Sequence, residues 1–196
     1  MIEPCTSVEF IDGLTRRFWP QIAEDGQAWA SAAGWLQKPG SVALTDGDGV
    51  FLVDRHEPGT YEVHTLFASE ARPSATAACF WAFTETDCVE LLTKVPRFNR
   101  AALALAKRVG FKVMYSGGNW RHEGSDYPID YLRYTFEDWI LSAPELAVSG
   151  SDVASRHDAM LMALPHQTSK AAVYYNRWAR FYGAGLSGSM HTGNFH

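Results

Sequence analysis

Glu62 and His64 stand two residues apart in the stretch Thr60 to Phe67, TYEVHTLF. The run alternates as a strand does, and a side-chain period of two puts the carboxylate and the imidazole on one face. The competing reading is a plain polar outward face beside the apolar Val63, Leu66 and Phe67. A second group of oxygens, Asp46, Asp48, Asp54 and Glu57, matches positions 1, 3, 9 and 12 of a calcium loop, but Val50 and Phe51 occupy the positions that need an oxygen ligand and a glycine. The run Val50–Val53 therefore fits a strand and not a calcium site. The seven histidines are scattered without i,i+3 or i,i+4 partners on a helix, so no metal centre is expected. Serine-hydrolase and P-loop chemistry have no G-x-S-x-G elbow and no glycine-lysine loop to stand on.

The 196 residues suffice for one well-buried core and an appendage. No apolar run approaches the ~20 residues of a membrane helix. The opening MIEPCTSVEFIDGL lacks a basic region followed by an apolar stretch, so no secretion signal is expected. Cys5, Cys79 and Cys88 are odd in number and lack C-x-x-C spacing, which predicts reduced thiols and a cytoplasmic protein. The net charge of −5 argues against bulk nucleic-acid binding. All 22 acidic residues lie at or before Asp158, as do 14 of the 17 Lys and Arg, so the first part carries about −8 and the remainder +3.

The elements that must hold Glu62 and His64 follow from periodicity. Thr6-Ser7-Val8-Glu9 has capping-box spacing, and Val8, Ile11, Leu14, Phe18 and Ile22 share a helical face, with Pro20 expected to kink or divide the helix. A second helix is expected over Gln27 to Leu36. Ser41–Thr45 and Val50–Asp54 form a hairpin around Asp46-Gly47-Asp48-Gly49. After the Tyr61–Phe67 strand come a helix at Ala71–Phe83, a strand at Asp87–Val95 and a helix at Asn99–Val109, closed by Gly110. Val113–Tyr115 and Ile129–Phe136 are the last strands, with Ser116–Pro128 as a Gly-rich mobile loop between them. Thr135–Asp138 opens a short helix before Pro144.

This order of elements resembles the GNAT (Gcn5-related N-acetyltransferase) fold over about Ser7 to Phe136. The most specific match is Val95-Pro96-Arg97-Phe98-Asn99 followed by a helix that ends in Gly110-Phe111. The resemblance implies an α/β domain with a mixed, centrally splayed β-sheet flanked by helices. It implies acetyl-CoA as co-substrate, with Asn99 touching the acyl-CoA and the backbone of Leu66 and Phe67 facing the pantetheine arm. The pyrophosphate turn corresponds to Arg72, Pro73, Ser74, Ala75, Thr76 and Ala77, where Ala75 stands in place of a glycine. Helix-start amides there suit a pyrophosphate. A carboxylate on this strand often serves as general base in the family, which makes Glu62 the first candidate and His64 the second. The family's usual acid, a tyrosine four residues before the glycine, is Ala106 here; Tyr115 or Tyr134 are the substitutes, and both also fit as strand aromatics.

Two functions follow as expectations. One is transfer of an acyl group from acetyl-CoA to the amine of a small molecule or protein, by direct attack. The other is a GNAT-fold structural or assembly protein that has lost the site. The chain is similar in tone to small GNAT-like proteins of tailed bacteriophages, which would place it in host cytoplasm or virion. Residues 1–143 would form the acyl-CoA-binding domain and 144–196 a helical C-terminal extension. In that extension Tyr174, Trp178 and Phe181, with Arg177 and Arg180, form an aromatic-basic stripe. The stripe would pack on the acidic core, join a second copy or assembly partner, or touch nucleic acid, for which its charges are too few.

Overall fold

Ser7 accepts a 3.2 Å hydrogen bond from the amide of Phe10 and so starts helix α1, Val8–Ile22, one residue later than a Thr6 cap would. The structure is a computed structural model in which residues 2–67 and 72–142 are described. Helix α1 passes through Pro20 undivided, because that position lies in its last turn, where little of the bonding ladder is left to lose. The expected helix over Gln27–Leu36 shrinks to α2, Ala33–Leu36. The Asp12 carboxylate takes the Ser31 hydroxyl and the Ala32 amide at 2.7 Å each, while the Trp19 indole holds the Gln27 carbonyl at 3.3 Å. Tertiary partners thus capture the backbone that helix bonds would need.

The sheet begins with β1, Glu3–Pro4, and the hairpin β2, Val42–Thr45, and β3, Gly49–Glu57. Then come β4, Thr60–Phe67, helix α3, Arg72–Glu85, β5, Glu90–Pro96, and helix α4, Arg100–Val109. The long hairpin β6, Lys112–His122, and β7, Ser125–Thr135, leads into α5, Phe136–Ser142. The seven strands run in the order β1-β2-β3-β4-β5-β7-β6, and only β4 and β5 are parallel. This is the mixed α/β sheet with helices on both faces that the resemblance implied.

Residues 116–128 are not a loop. Strands β6 and β7 pair almost to their ends through a two-residue turn, Glu123-Gly124, with both residues at positive φ. One register shift, between Gly117 and Asn119, absorbs the glycines that hid the strand pattern, and a second lies between Val113 and Tyr115. The turn is pinned from outside: the Asp25 carboxylate accepts the amides of Glu123 and Gly124 at 3.0 and 2.9 Å.

Two cores lie on opposite faces. Phe51, Val53, Val63, Leu91, Val95 and Leu132 pack with α3 and α4. On the other face Val50 and Leu66 pack with Ile11, Phe18, Ile22 and Trp35 from α1 and α2. The cores meet where β4 and β5 part. The C-terminal extension, with its two expected helices and its aromatic-basic stripe, lies outside the described residues.

Candidate active site

Strands β4 and β5 are paired only from Thr60–Glu90 to Glu62–Leu92, and then separate. At the fork the Thr93 hydroxyl donates a 3.0 Å hydrogen bond to the Val63 carbonyl, replacing the bond the next backbone amide would have made. The Gly59 carbonyl accepts from the Glu90 amide at 3.0 Å. By the two-residue period, Val63 and Thr65 on one side and Lys94 on the other aim backbone groups into the gap. A cavity of about 550 Å³ occupies the gap and extends to both faces of the sheet. On one face it meets Ala75 and Cys79 of α3 and Ala102 and Ala106 of α4. On the other it meets Trp19, Gln27, Trp35 and Trp120.

At the mouth of the fork sits a buried carboxylate. Glu62 is 5% exposed and meets His56 Nε2 at 2.8 Å, Lys94 Nζ at 3.1 Å and His64 Nε2 at 3.5 Å. Glu62 stands behind the lining, whereas His64 and Lys94 belong to it. The His64 side chain is 49% exposed, yet the protein packed around its ring disfavours the imidazolium. That desolvation, helped by Lys94, outweighs the pull of Glu62 and holds the His64 pKa below the ordinary histidine value. Cys79 also lines the cavity, and burial pushes its thiol up to about 12.

The residues expected at a cofactor site divide by position. Leu66 is buried and lines the cavity with its side chain, while its backbone faces β3 opposite Val50. Phe67 ends β4 and Arg72 begins α3; their side chains lie outside the described residues. Ala75 is buried against the cavity. Ala77 is half-buried and Thr76 exposed on the same helix. Asn99 lines the cavity and caps α4, its Oδ1 accepting the Ala102 amide at 3.0 Å. Tyr115 is 56% exposed and stacked on Tyr131 at 4.5 Å, on the sheet face of Lys94 but with β5 and β7 between it and the gap. Tyr134 is buried, with its hydroxyl on Ser142 at 3.3 Å.

Ser74 has a partner the sequence did not announce. Its hydroxyl donates a very short hydrogen bond to Asp46, whose other oxygen accepts the amides of Asp48 and Gly49 at 3.0 and 3.1 Å. Desolvation works against the charge, but these donors hold the Asp46 carboxyl below its ordinary value. The Asp46 carboxylate of the β2–β3 turn therefore lies against the first turn of α3, where a pyrophosphate would seek the helix amides. The gap and the small-residue face of α4 suit a pantetheine arm; this end suits a phosphate less well. The calcium spacing is also resolved: Asp46 closes its own turn, while Asp54 binds Lys38 and Ser41 at 2.7 and 2.8 Å further along β3. Among the described residues, no three His, Cys, Asp or Glu side chains converge as metal ligands would, and no helix is long and apolar enough to cross a membrane.

Sequence reasoning missed His56, Thr93, Lys94 and the three indoles. The alternation of β5 could have found Lys94, which shares a sheet face with Glu62. The indoles come from α1, α2 and β6 and carry no common spacing.

No family model and no curated protein matches the sequence. The fold does match solved structures. One is yncA of Salmonella typhimurium with its cofactor acetyl-CoA, 13% identical, TM-score 0.57, covering 69% of this chain and 92% of that one. Another is the spermidine N-acetyltransferase of Vibrio cholerae in complex with CoA and spermine, 12% identical, TM-score 0.56, covering 71% and 96%. A third is the ribosomal-protein-S5-alanine acetyltransferase of Vibrio fischeri, 11% identical, TM-score 0.55, covering 70% and 93%. The chain has the fold of GNAT acetyltransferases over most of their length.

Proposed function

We propose that this protein is an N-acyltransferase that moves an acetyl group from acetyl-CoA to an amine by direct attack. The observation that carries the reading is the cavity through the β4–β5 fork, which joins a small-residue chamber under α3 and α4 to an acceptor chamber under α1 and α2. A pantetheine arm entering beside Ala75 and Asn99 would set its thioester between Thr65 and Lys94. Backbone N–H groups on those facing edges would stabilise the oxyanion. Solved proteins of this fold hold acetyl-CoA, or CoA together with spermine.

His64 is the general base in this arrangement. It faces the cavity, and its depressed pKa leaves it neutral and able to accept a proton near pH 7. Glu62 lies 3.5 Å from Nε2, where its charge would stabilise the imidazolium that forms as His64 takes up the proton. The amine nitrogen forms the new C–N bond, its proton passes to His64, and the C–S bond breaks to release the CoA thiolate. That thiolate is a good leaving group, so Ala106 in place of a tyrosine slows the reaction without forbidding it. An acyl-enzyme on Cys79 is disfavoured, because a thiol titrating at about 12 supplies almost no nucleophile at neutral pH.

The second reading, a GNAT-fold assembly component of a bacteriophage particle that no longer binds CoA, is favoured by Asp46 at the start of α3. One titration separates the two. The enzyme reading expects acetyl-CoA to bind in calorimetry and free CoA to appear on addition of an amine. Absence of heat and of any thermal shift at millimolar acetyl-CoA removes it.

A further inference from the structure

The acceptor half of the cavity has an unusual lining for an amine site. Trp19 of α1, Trp35 of α2 and Trp120 of β6 converge there with Phe98, Gln27 and Lys94. Among the described residues no carboxylate lines it, and Lys94 is the one charged side chain in the lining apart from the titratable His64. Asp25 of the α1–α2 connection is already engaged: its two oxygens accept the amides of the Glu123-Gly124 turn. Phe98 is itself fixed by a parallel stack on His122, 4.2 Å between centroids and 6° between planes. The Trp19 indole is tied to the Gln27 carbonyl at 3.3 Å. The Trp120 indole N–H is buried without a hydrogen-bond partner.

These walls present flat, largely apolar faces. An acceptor with a second ammonium would meet Lys94, itself already paired with Glu62 at 3.1 Å, rather than a carboxylate of the lining. A flat ring would stack on the indoles and exclude water from the reacting nitrogen.

We infer that the acceptor is an arylalkylamine: a primary amine on a short chain from an aromatic ring, the ring held among Trp19, Trp35 and Trp120 and the nitrogen directed to His64. This rests on the acyltransferase reading for its last step only. A ring that carries a hydroxyl or carbonyl oxygen gains the Trp120 N–H as a donor.

The test is calorimetric binding to the full chain without any acyl donor, using phenethylamine, hexylamine and spermidine. Phenethylamine is expected to bind about tenfold more tightly than hexylamine or spermidine, the margin that aromatic contacts supply. Trp35→Leu is expected to erase that margin. Trp120→Leu, on the partly exposed hairpin, should do the same if the first variant fails to fold. Spermidine binding as tightly as phenethylamine overturns the inference, because cation–π attraction to the indoles would then suffice. Equal binding of hexylamine and phenethylamine overturns it too. Phenethylamine binding with no CoA release from acetyl-CoA would support the pocket assignment while defeating the acyltransferase reading.

Discussion

Thr93 holds the Val63 carbonyl through its hydroxyl at 3.0 Å, at the point where the sheet opens. A side chain thus ends the ladder that a backbone amide would have continued, and the gap beyond it is where the chemistry is placed. Replacing that hydroxyl by a methyl group of the same shape leaves the carbonyl bare. Thr93→Val is expected to lower unfolding free energy by about 1 to 2 kcal/mol, read from urea melts, as a lost hydrogen bond to a partly buried acceptor does. Turnover should fall more than donor affinity, since the fork aims the thioester.

His64→Gln removes the proton acceptor while leaving a polar side chain of similar reach. The rate constant kcat is expected to drop about 10² to 10⁴-fold with little change in donor KM, the usual contribution of a general base. The wild-type rate should fall in acid through a pKa below 6.5, because only the neutral ring accepts a proton. That acid limb should vanish in the variant.

The same shift has a consequence for stability. The folded protein binds the His64 proton less tightly than the unfolded chain does. Stability from this group is therefore unaffected above the unfolded value and falls as pH drops below about 6.5. Melting temperatures of wild type and His64→Gln should converge in neutral buffer and part in acid, the wild type losing more between pH 6.5 and 5.

Asp46→Asn keeps the turn oxygen that the amides of Asp48 and Gly49 use and removes the charge facing α3. The CoA dissociation constant is expected to fall about three- to tenfold in calorimetry at low salt, and less at 1 M salt, where surface charges are screened.

Gly110 sits at φ +130, and a Cβ there would lie 2.7 Å from the Tyr134 ring. Gly110→Ala combines a disfavoured backbone with a clash against a buried aromatic. A loss of about 2 to 4 kcal/mol in urea melts is expected.

Short-range order was legible along the chain. The two βα steps from Thr60 to Val109 showed through apolar alternation, a helix period, the Asn99 cap and the Gly110 stop, each a property of neighbours within four residues. The shared face of Glu62 and His64 was legible for the same reason. The β6–β7 hairpin was not, because Gly117 and Gly118 sit at one register shift and its turn is fixed by Asp25, about a hundred residues earlier. Likewise Gln27–Ser31 loses its helix to the side chains of Asp12 and Trp19.

By itself the sequence determined an α/β sheet crossed by helices, and it placed Asn99 at a helix start, since local bonding and periodicity suffice for both. Tertiary structure alone decided that β4 and β5 part at Thr93, that Lys94 and two histidines surround Glu62, that Asp46 reaches Ser74, and that three tryptophans from separate elements face one cavity. Those relations join residues distant in the chain, and only packing both faces of the sheet brings them within reach.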